Sequence, residues 1–206
     1  MIYFHPPSLW LLLAMAVYGL IHSLLASFQV KELAERWLGS QAFHRWYRPF
    51  FNSMAALTFI PVLILVALLP DAPIYSIPRP WVFLTLLIQF LAAAGLLFGV
   101  IQTGAANFLG LEQILFPEKS LQPRKMVTDG LYRWVRHPLY TCGLALAWLT
   151  PVMTWNILMF CLGVTAYLTI GTIIEERKLL LEFGENYAAY RLTTPMFFPR
   201  LIQRKG

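Results

Sequence analysis

Two short polar runs interrupt an otherwise apolar chain, and their residue types suit the binding of a small charged molecule. The first reads Tyr132-Arg133-Trp134-Val135-Arg136-His137-Pro138-Leu139-Tyr140, with Gly143 following. The second is Glu175-Glu176-Arg177-Lys178. Brought together at the edge of hydrocarbon, cations and carboxylates make a pocket of both signs roofed by apolar side chains. Such a pocket fits a zwitterionic ligand with an apolar body. The bland alternative is that the arginines snorkel toward headgroups and that Glu-Glu-Arg-Lys is a solvated helix exit. The choice depends on the elements that carry the two runs.

Those elements belong to a membrane. The chain has 206 residues, 58% hydrophobic and only 13% charged, about half the charge of an ordinary soluble domain. A bilayer core of roughly 30 Å takes about 20 apolar residues in a helix. Leu9–Ser27, Phe50–Leu69, Trp81–Ile101 and Thr154–Ile174 meet that length without an Asp, Glu, Lys or Arg inside. Leu139–Thr150 stops short at Pro151. Extended back to Leu131 it takes in Arg133, Arg136 and His137, so 131–174 reads as a helical hairpin with a basic inner mouth and an outer turn at Thr150-Pro151. Pro138 either kinks this arm or opens it. The expected fold is an all-α integral membrane protein of five transmembrane helices forming one domain. Residues 1–101 supply three N-terminal helices, and residues 102–206 supply the ligand-binding hairpin and a surface helix.

Fifteen of the sixteen Lys and Arg residues fall in the 28–49 loop, the 102–136 loop or the tail after 174; Arg79 alone lies on the other side. The positive-inside rule then puts the N-terminus outside and the C-terminus in the cytoplasm. This topology also accounts for the net charge of +6 without a nucleic-acid partner. No Lys or Arg precedes Lys31, so the first segment reads as a retained helix rather than a cleaved signal peptide. In the tail, Leu179, Leu180, Phe183, Tyr187 and Tyr190 recur at helical spacing. They predict an amphipathic cytoplasmic helix lying on the membrane as a continuation of the fifth span, weakened at Gly184. Gly95 and Gly99 suggest close helix packing. Cys142 and Cys161 sit in apolar stretches, and neither a disulfide framework nor a metal site is expected.

Arg136-His137-Pro138-x-Tyr140-x-x-Gly143, then Glu175-Glu176, then Phe183-Gly184-x-x-Tyr187-x-x-Tyr190 and Pro195, resembles the isoprenylcysteine carboxyl methyltransferase and phospholipid methyltransferase superfamily of integral membrane enzymes. The stretches Leu149-Thr150-Pro151-Val152-Met153-Thr154 and Gly163-Val164-Thr165-Ala166-Tyr167, with Phe108-Leu109-Gly110-Leu111-Glu112-Gln113 and His22-Ser23, resemble more narrowly the bacterial methanethiol S-methyltransferases. The resemblance implies S-adenosylmethionine as methyl donor, a small thiol or lipid as acceptor, and a bacterial inner-membrane location. It assigns Arg136, His137, Tyr140, Gly143, Glu175 and Glu176 to the cofactor pocket. Isoprenylcysteine enzymes carry an arginine two residues before the tail proline, where this chain has Thr193. That departure points away from a prenylcysteine carboxylate.

Methyl transfer from a sulfonium to a thiolate annihilates charge, so a site that excludes water and holds alignment favours it. Arg136 would help to form the thiolate by charge proximity. His22, an ionisable residue inside a span, is a second catalytic candidate, with Tyr18 on the same face. Packing is the competing role for His22, and also for Gln102 and Asn107. Two other functions fit parts of the pattern: haem or redox chemistry with His22 and His137 as axial ligands, and a non-catalytic membrane accessory.

Overall fold

The computed structural model describes residues 6–118 and 125–199. Lys119, Arg124, Arg200, Arg204 and Lys205, which entered the charge distribution, lie outside the described residues. In chain order the elements are α1 (Leu9–Ala26), α2 (Phe28–Leu38), α3 (Ser40–Leu68), strand β1 (Pro73–Ser76), α4 (Trp81–Gln102), α5 (Ala105–Leu109), α6 (Leu111–Leu115), α7 (Pro138–Trp148), strand β2 (Val152–Thr154), α8 (Trp155–Phe183) and α9 (Glu185–Thr193). Among the described residues, α1, α3, α4 and α8 are the helices long and apolar enough to cross a membrane. Their large apolar side chains are mostly exposed, as expected of helices solvated by lipid.

The chain divides into two compact units. The first comprises Met1–Ser76, Gly104–Arg124 and Val152–Tyr167. In it α1 packs on α3, burying Leu11, Met15 and Val62. Ser27 ends α1 in an extended conformation and caps α2, its Oγ accepting from the Val30 N–H at 3.3 Å. The 28–49 stretch, expected as a loop, is therefore helical. On α2, Lys31, Glu32, Glu35 and Arg36 lie opposite Val30, Leu33, Trp37 and Leu38, and α3 begins at Ser40 rather than Phe50. Charge ends a membrane span but not a helix, and the break comes only at Gly39, where φ is +77°.

The all-α expectation misses a two-stranded antiparallel ribbon in this unit, β1 with β2, pairing Pro73 with Thr154 and Ser76 with Val152. The turn expected at Thr150-Pro151 thus leads into a strand pair. Asn156, fully buried, follows it. Its side-chain amide donates to Leu69 O at 3.0 Å, and its N–H donates to Asp71 Oδ1 at 3.1 Å. This ties the carbonyl end of α3 to the start of α8. Asn156→Ala is expected to lower stability by about 1–3 kcal/mol through the orphaned carbonyl, measured by thermal unfolding in detergent.

The second unit comprises Ile77–Thr103, Lys125–Pro151 and Leu168–Gly206. Here α7 packs along α4. Gln89 Nε2 donates to Leu146 O at 2.9 Å. A Cβ added at Gly95 would sit 3.0 Å from Cys142 Sγ, and one at Gly99 would sit 2.7 Å from Leu139 Cδ2. The two glycines do serve helix packing, and Cys142 is a filler against one of them. Gln102 accepts from the Leu131 N–H through Oε1 and donates to Asp129 O through Nε2. It is packing glue, and Asn107, which accepts from Gln113 Nε2 at 2.7 Å in the first unit, has the same role.

The helical arm does not start at Leu131. Residues Gly130–Arg133 form a short 3-10 turn, and α7 begins at Pro138. A proline at the first helical position gives up no intrahelical bond, whereas within a helix it removes one. The tail helix is corrected as well. Gly184, with φ +55°, separates α8 from α9, so the tail is not one continuous helix.

Candidate active site

Within the second unit, two side chains just before α7 and one on its first turn meet two from α8, about forty residues away in sequence. Arg136 Nε donates to Glu176 Oε1 at 2.7 Å, and His137 Nε2 lies 3.1 Å from the same oxygen. Tyr140 OH donates to Glu175 Oε2 at 2.7 Å. The His137 and Tyr140 rings are nearly parallel, 3° apart in plane, with centroids separated by 5.5 Å. Helical spacing explains the sorting. His137, which caps α7, and Tyr140 stand one turn apart, while the adjacent Glu175 and Glu176 point about 100° apart around α8. The resulting cluster is asymmetric: the side chains of Arg136 and Glu176 are 8% and 6% exposed, and that of Glu175 is 44% exposed.

The tail completes the cluster. The backbone N–H groups of Arg136 and His137, which precede α7, donate to Pro195 O at 2.8 Å and Met196 O at 3.1 Å. Thr141 Oγ1 donates to Phe197 O at 2.8 Å. The Arg136 guanidinium donates through Nη1 to Thr194 O and Arg191 O. Arg191 Nε lies 3.4 Å from the second oxygen of Glu176, and Tyr190 OH donates to Tyr132 O. Residues 190–197 therefore lie across the Arg-His-Pro segment as a strap.

Every residue that the sequence pattern assigns to a cofactor pocket, apart from Gly143, enters this network. Gly143 lies one turn beyond Tyr140, and a Cβ built there would meet nothing within 4 Å among the described residues. Its lack of a side chain is not used for helix packing. His22 lies in the first unit. Its Nδ1 is 2.9 Å from Tyr167 OH, and its ring is 4.6 Å from Phe51 and 5.9 Å from Tyr18.

Sequence reasoning missed Tyr187, Tyr190, Arg191 and Thr194 as members of the site. The tail face carrying Tyr187 and Tyr190 turns toward protein, while Leu181 and Leu192 are exposed. Tyr187 is 2% exposed, and among the described residues its hydroxyl closes no hydrogen bond of normal geometry. Burial first, and the nearby Glu176 carboxylate next, raise its pKa. Burial also pushes Tyr190 up to about 12, and burial with Glu175 does the same to Tyr132. All three phenols stay neutral at ordinary pH. Thr193, where isoprenylcysteine enzymes carry arginine, donates to Tyr190 O in its own helix.

The chain is similar to known proteins. Residues 84–186, which include the whole α7–α8 cluster, match the phospholipid methyltransferase family. Methanethiol S-methyltransferase 2 of Bradyrhizobium diazoefficiens is 32% identical over 94% of this chain and 74% of its own length. Methanethiol S-methyltransferase of Mycobacterium tuberculosis is 28% identical over 91% and 76%. Protein-S-isoprenylcysteine O-methyltransferase of Schizosaccharomyces pombe is 31% identical over 50% and 51%. No solved structure matches at a significant level. With its apolar helices, its bonded Arg-His-Pro-x-Tyr and Glu-Glu segments, and an alignment covering nearly all of its length, the chain belongs to the phospholipid methyltransferase family and is an integral membrane methyltransferase.

Proposed function

We propose that the protein transfers a methyl group from S-adenosylmethionine to a small thiol such as methanethiol, or to another lipophilic nucleophile, by in-line displacement. The observation that carries this reading is the hydrogen-bonded cluster of His137, Tyr140, Glu175 and Glu176, which lies in the stretch matched by the family. Similarity to two methanethiol S-methyltransferases over more than nine-tenths of the chain favours the thiol acceptor. Titration with S-adenosylhomocysteine in detergent, followed by labelled methyl transfer to methanethiol and to lipid extracts, tests it. Binding together with turnover on methanethiol is expected. No binding, or turnover on lipid alone, would overturn the thiol reading.

When bound, S-adenosylmethionine supplies a methyl carbon that leaves its sulfonium as the bond to the acceptor sulfur forms. The protein's own part is to bind and align. Glu175 and Tyr140 offer an acceptor and an oriented ring at the open face of the cluster, and exclusion of water from the reacting atoms would favour the charge-annihilating step. Both ring nitrogens of His137 face carboxylates, Nε2 at 3.1 Å and Nδ1 at 3.8 Å, which leaves axial ligation of a haem iron poorly served.

His22, steadied by Tyr167, is proposed as the base that takes the thiol proton. His22→Gln is expected to lower turnover at least about tenfold and to change the shape of the pH–rate profile. A ring that only packs would leave the shape of the profile unchanged.

A five-crossing topology with the N-terminus outside and the C-terminus in the cytoplasm of a bacterial inner membrane completes the proposal. The eleven residues of α7 rise about 16 Å, roughly half a bilayer core. Bonds from Gln102 to Leu131, from Gln89 to Leu146 and from Ile77 to Pro151 favour a path along the whole of α4, with residues 149–151 finishing the crossing.

A further inference from the structure

Arg136 is the cation that sequence reasoning offers to a ligand carboxylate, yet its surroundings already use it. Its Nε is bonded to Glu176, its Nη1 to the carbonyls of Thr194 and Arg191, and its backbone N–H to Pro195 O. Glu176 is equally committed: Oε1 faces Arg136 and His137, and Oε2 faces Arg191. With both side chains under a tenth exposed, a ligand reaching either would have to break charge-assisted bonds in a desolvated place. Glu175 differs. It is nearly half exposed, and among the described residues its side chain's one hydrogen bond is from the Tyr140 hydroxyl to Oε2, with His137 Nδ1 3.8 Å away.

We infer that the glutamate pair has divided its work: Arg136, Glu176 and Arg191 form an internal scaffold that fixes the tail strap, and Glu175, oriented by Tyr140, is the charge that meets the ligand's ammonium. This deepens the proposed methyl-donor reading and rests on it. Arg136 is then a positioning residue acting through the strap and Glu176. The ligand's carboxylate is not its partner.

Two nucleosides separate the roles. S-adenosylhomocysteine carries the amino-acid ammonium and carboxylate, whereas 5′-methylthioadenosine keeps the adenosine and thioether and lacks both charges. Calorimetric titration of the full-length protein in detergent with each compound gives an affinity ratio. Glu175→Gln is expected to weaken S-adenosylhomocysteine at least tenfold and 5′-methylthioadenosine less than twofold. Arg136→Lys is expected to weaken both by a similar factor, leaving the ratio unchanged. It should also raise amide exchange in residues 190–197, with the rest of the chain unaltered, whereas general destabilisation would raise exchange throughout. Arg191→Ala, at a more exposed position, is the second variant if Arg136→Lys does not fold, and the same equal weakening is expected of it. A wild type that binds both compounds, with Arg136→Lys losing only S-adenosylhomocysteine, would overturn the division while keeping the methyl-donor reading. A wild type that binds neither would overturn both.

Discussion

Glu176→Gln is expected to lower folding stability by about 3–5 kcal/mol and to cost ligand binding in whatever fraction folds. Removing the negative charge leaves Arg136 buried and uncompensated, and Arg191 loses its neighbour at the same stroke. The one remaining amide oxygen cannot serve Arg136, His137 and Arg191 together, and the new NH₂ group brings a donor among donors. Because Arg136 also holds Thr194 O and Arg191 O, the strap loosens with it. The matched change at the neighbouring position sharpens the comparison. Glu175→Gln alters a carboxylate that is 44% exposed and accepts a phenol, which Gln can also do, so its stability change should stay within about 1 kcal/mol. Unfolding of both variants in one detergent, followed by titration with S-adenosylhomocysteine, checks the pair. Equal losses of stability would contradict the scaffold role of Glu176.

What could be read from the amino-acid order, and what could not, divides along physical lines. Uninterrupted apolar length marked α1, α4 and α8 to within a few residues at most of their ends, because lipid demands that length. The meeting of Arg136, His137 and Tyr140 with Glu175 and Glu176 was legible because the expected hairpin would put those positions at one depth. The strap was not. Its acceptors are the carbonyls of Arg191, Thr194, Pro195, Met196 and Phe197, and a carbonyl is common to every residue type. Nor could the stripe through Phe183, Tyr187 and Tyr190 say what covers it, since an apolar face at helical spacing suits lipid and protein alike. Two hydroxyls within that stripe were the available signal: Tyr190 reaches Tyr132 O, and Tyr187 is buried beside Glu176. The start of α3 was misplaced for a related reason. Arg45 and Arg48 end an apolar run, but nothing between Gly39 and Pro49 breaks the helix.

Gly143→Leu is expected to leave the protein folded and at least as stable while weakening S-adenosylhomocysteine at least about a hundredfold. The two directions follow from one fact: a Cβ added at Gly143 meets nothing within 4 Å among the described residues. Exchanging a mid-helix glycine for leucine gains up to about 1 kcal/mol of helix propensity, and no neighbour there has to move. The open space beside Gly143 is nonetheless in a telling place. Tyr140 lies one turn back on α7, and its partner Glu175 lies one turn beyond Gly171 on α8. A Cβ at Gly171 likewise meets nothing within 4 Å among the described residues. Among the described residues each helix thus leaves room one turn from the Tyr140–Glu175 bond, where the body of a ligand held by Glu175 is expected to lie. A leucine side chain would occupy that room. Gly163→Leu makes the contrast, because its Cβ would fall 2.7 Å from Met15 Cγ and the added bulk should cost stability by overpacking. Thermal unfolding and titration of the two variants separate the possibilities. If Gly143→Leu binds as the wild type does, the space beside α7 belongs to lipid and not to the ligand.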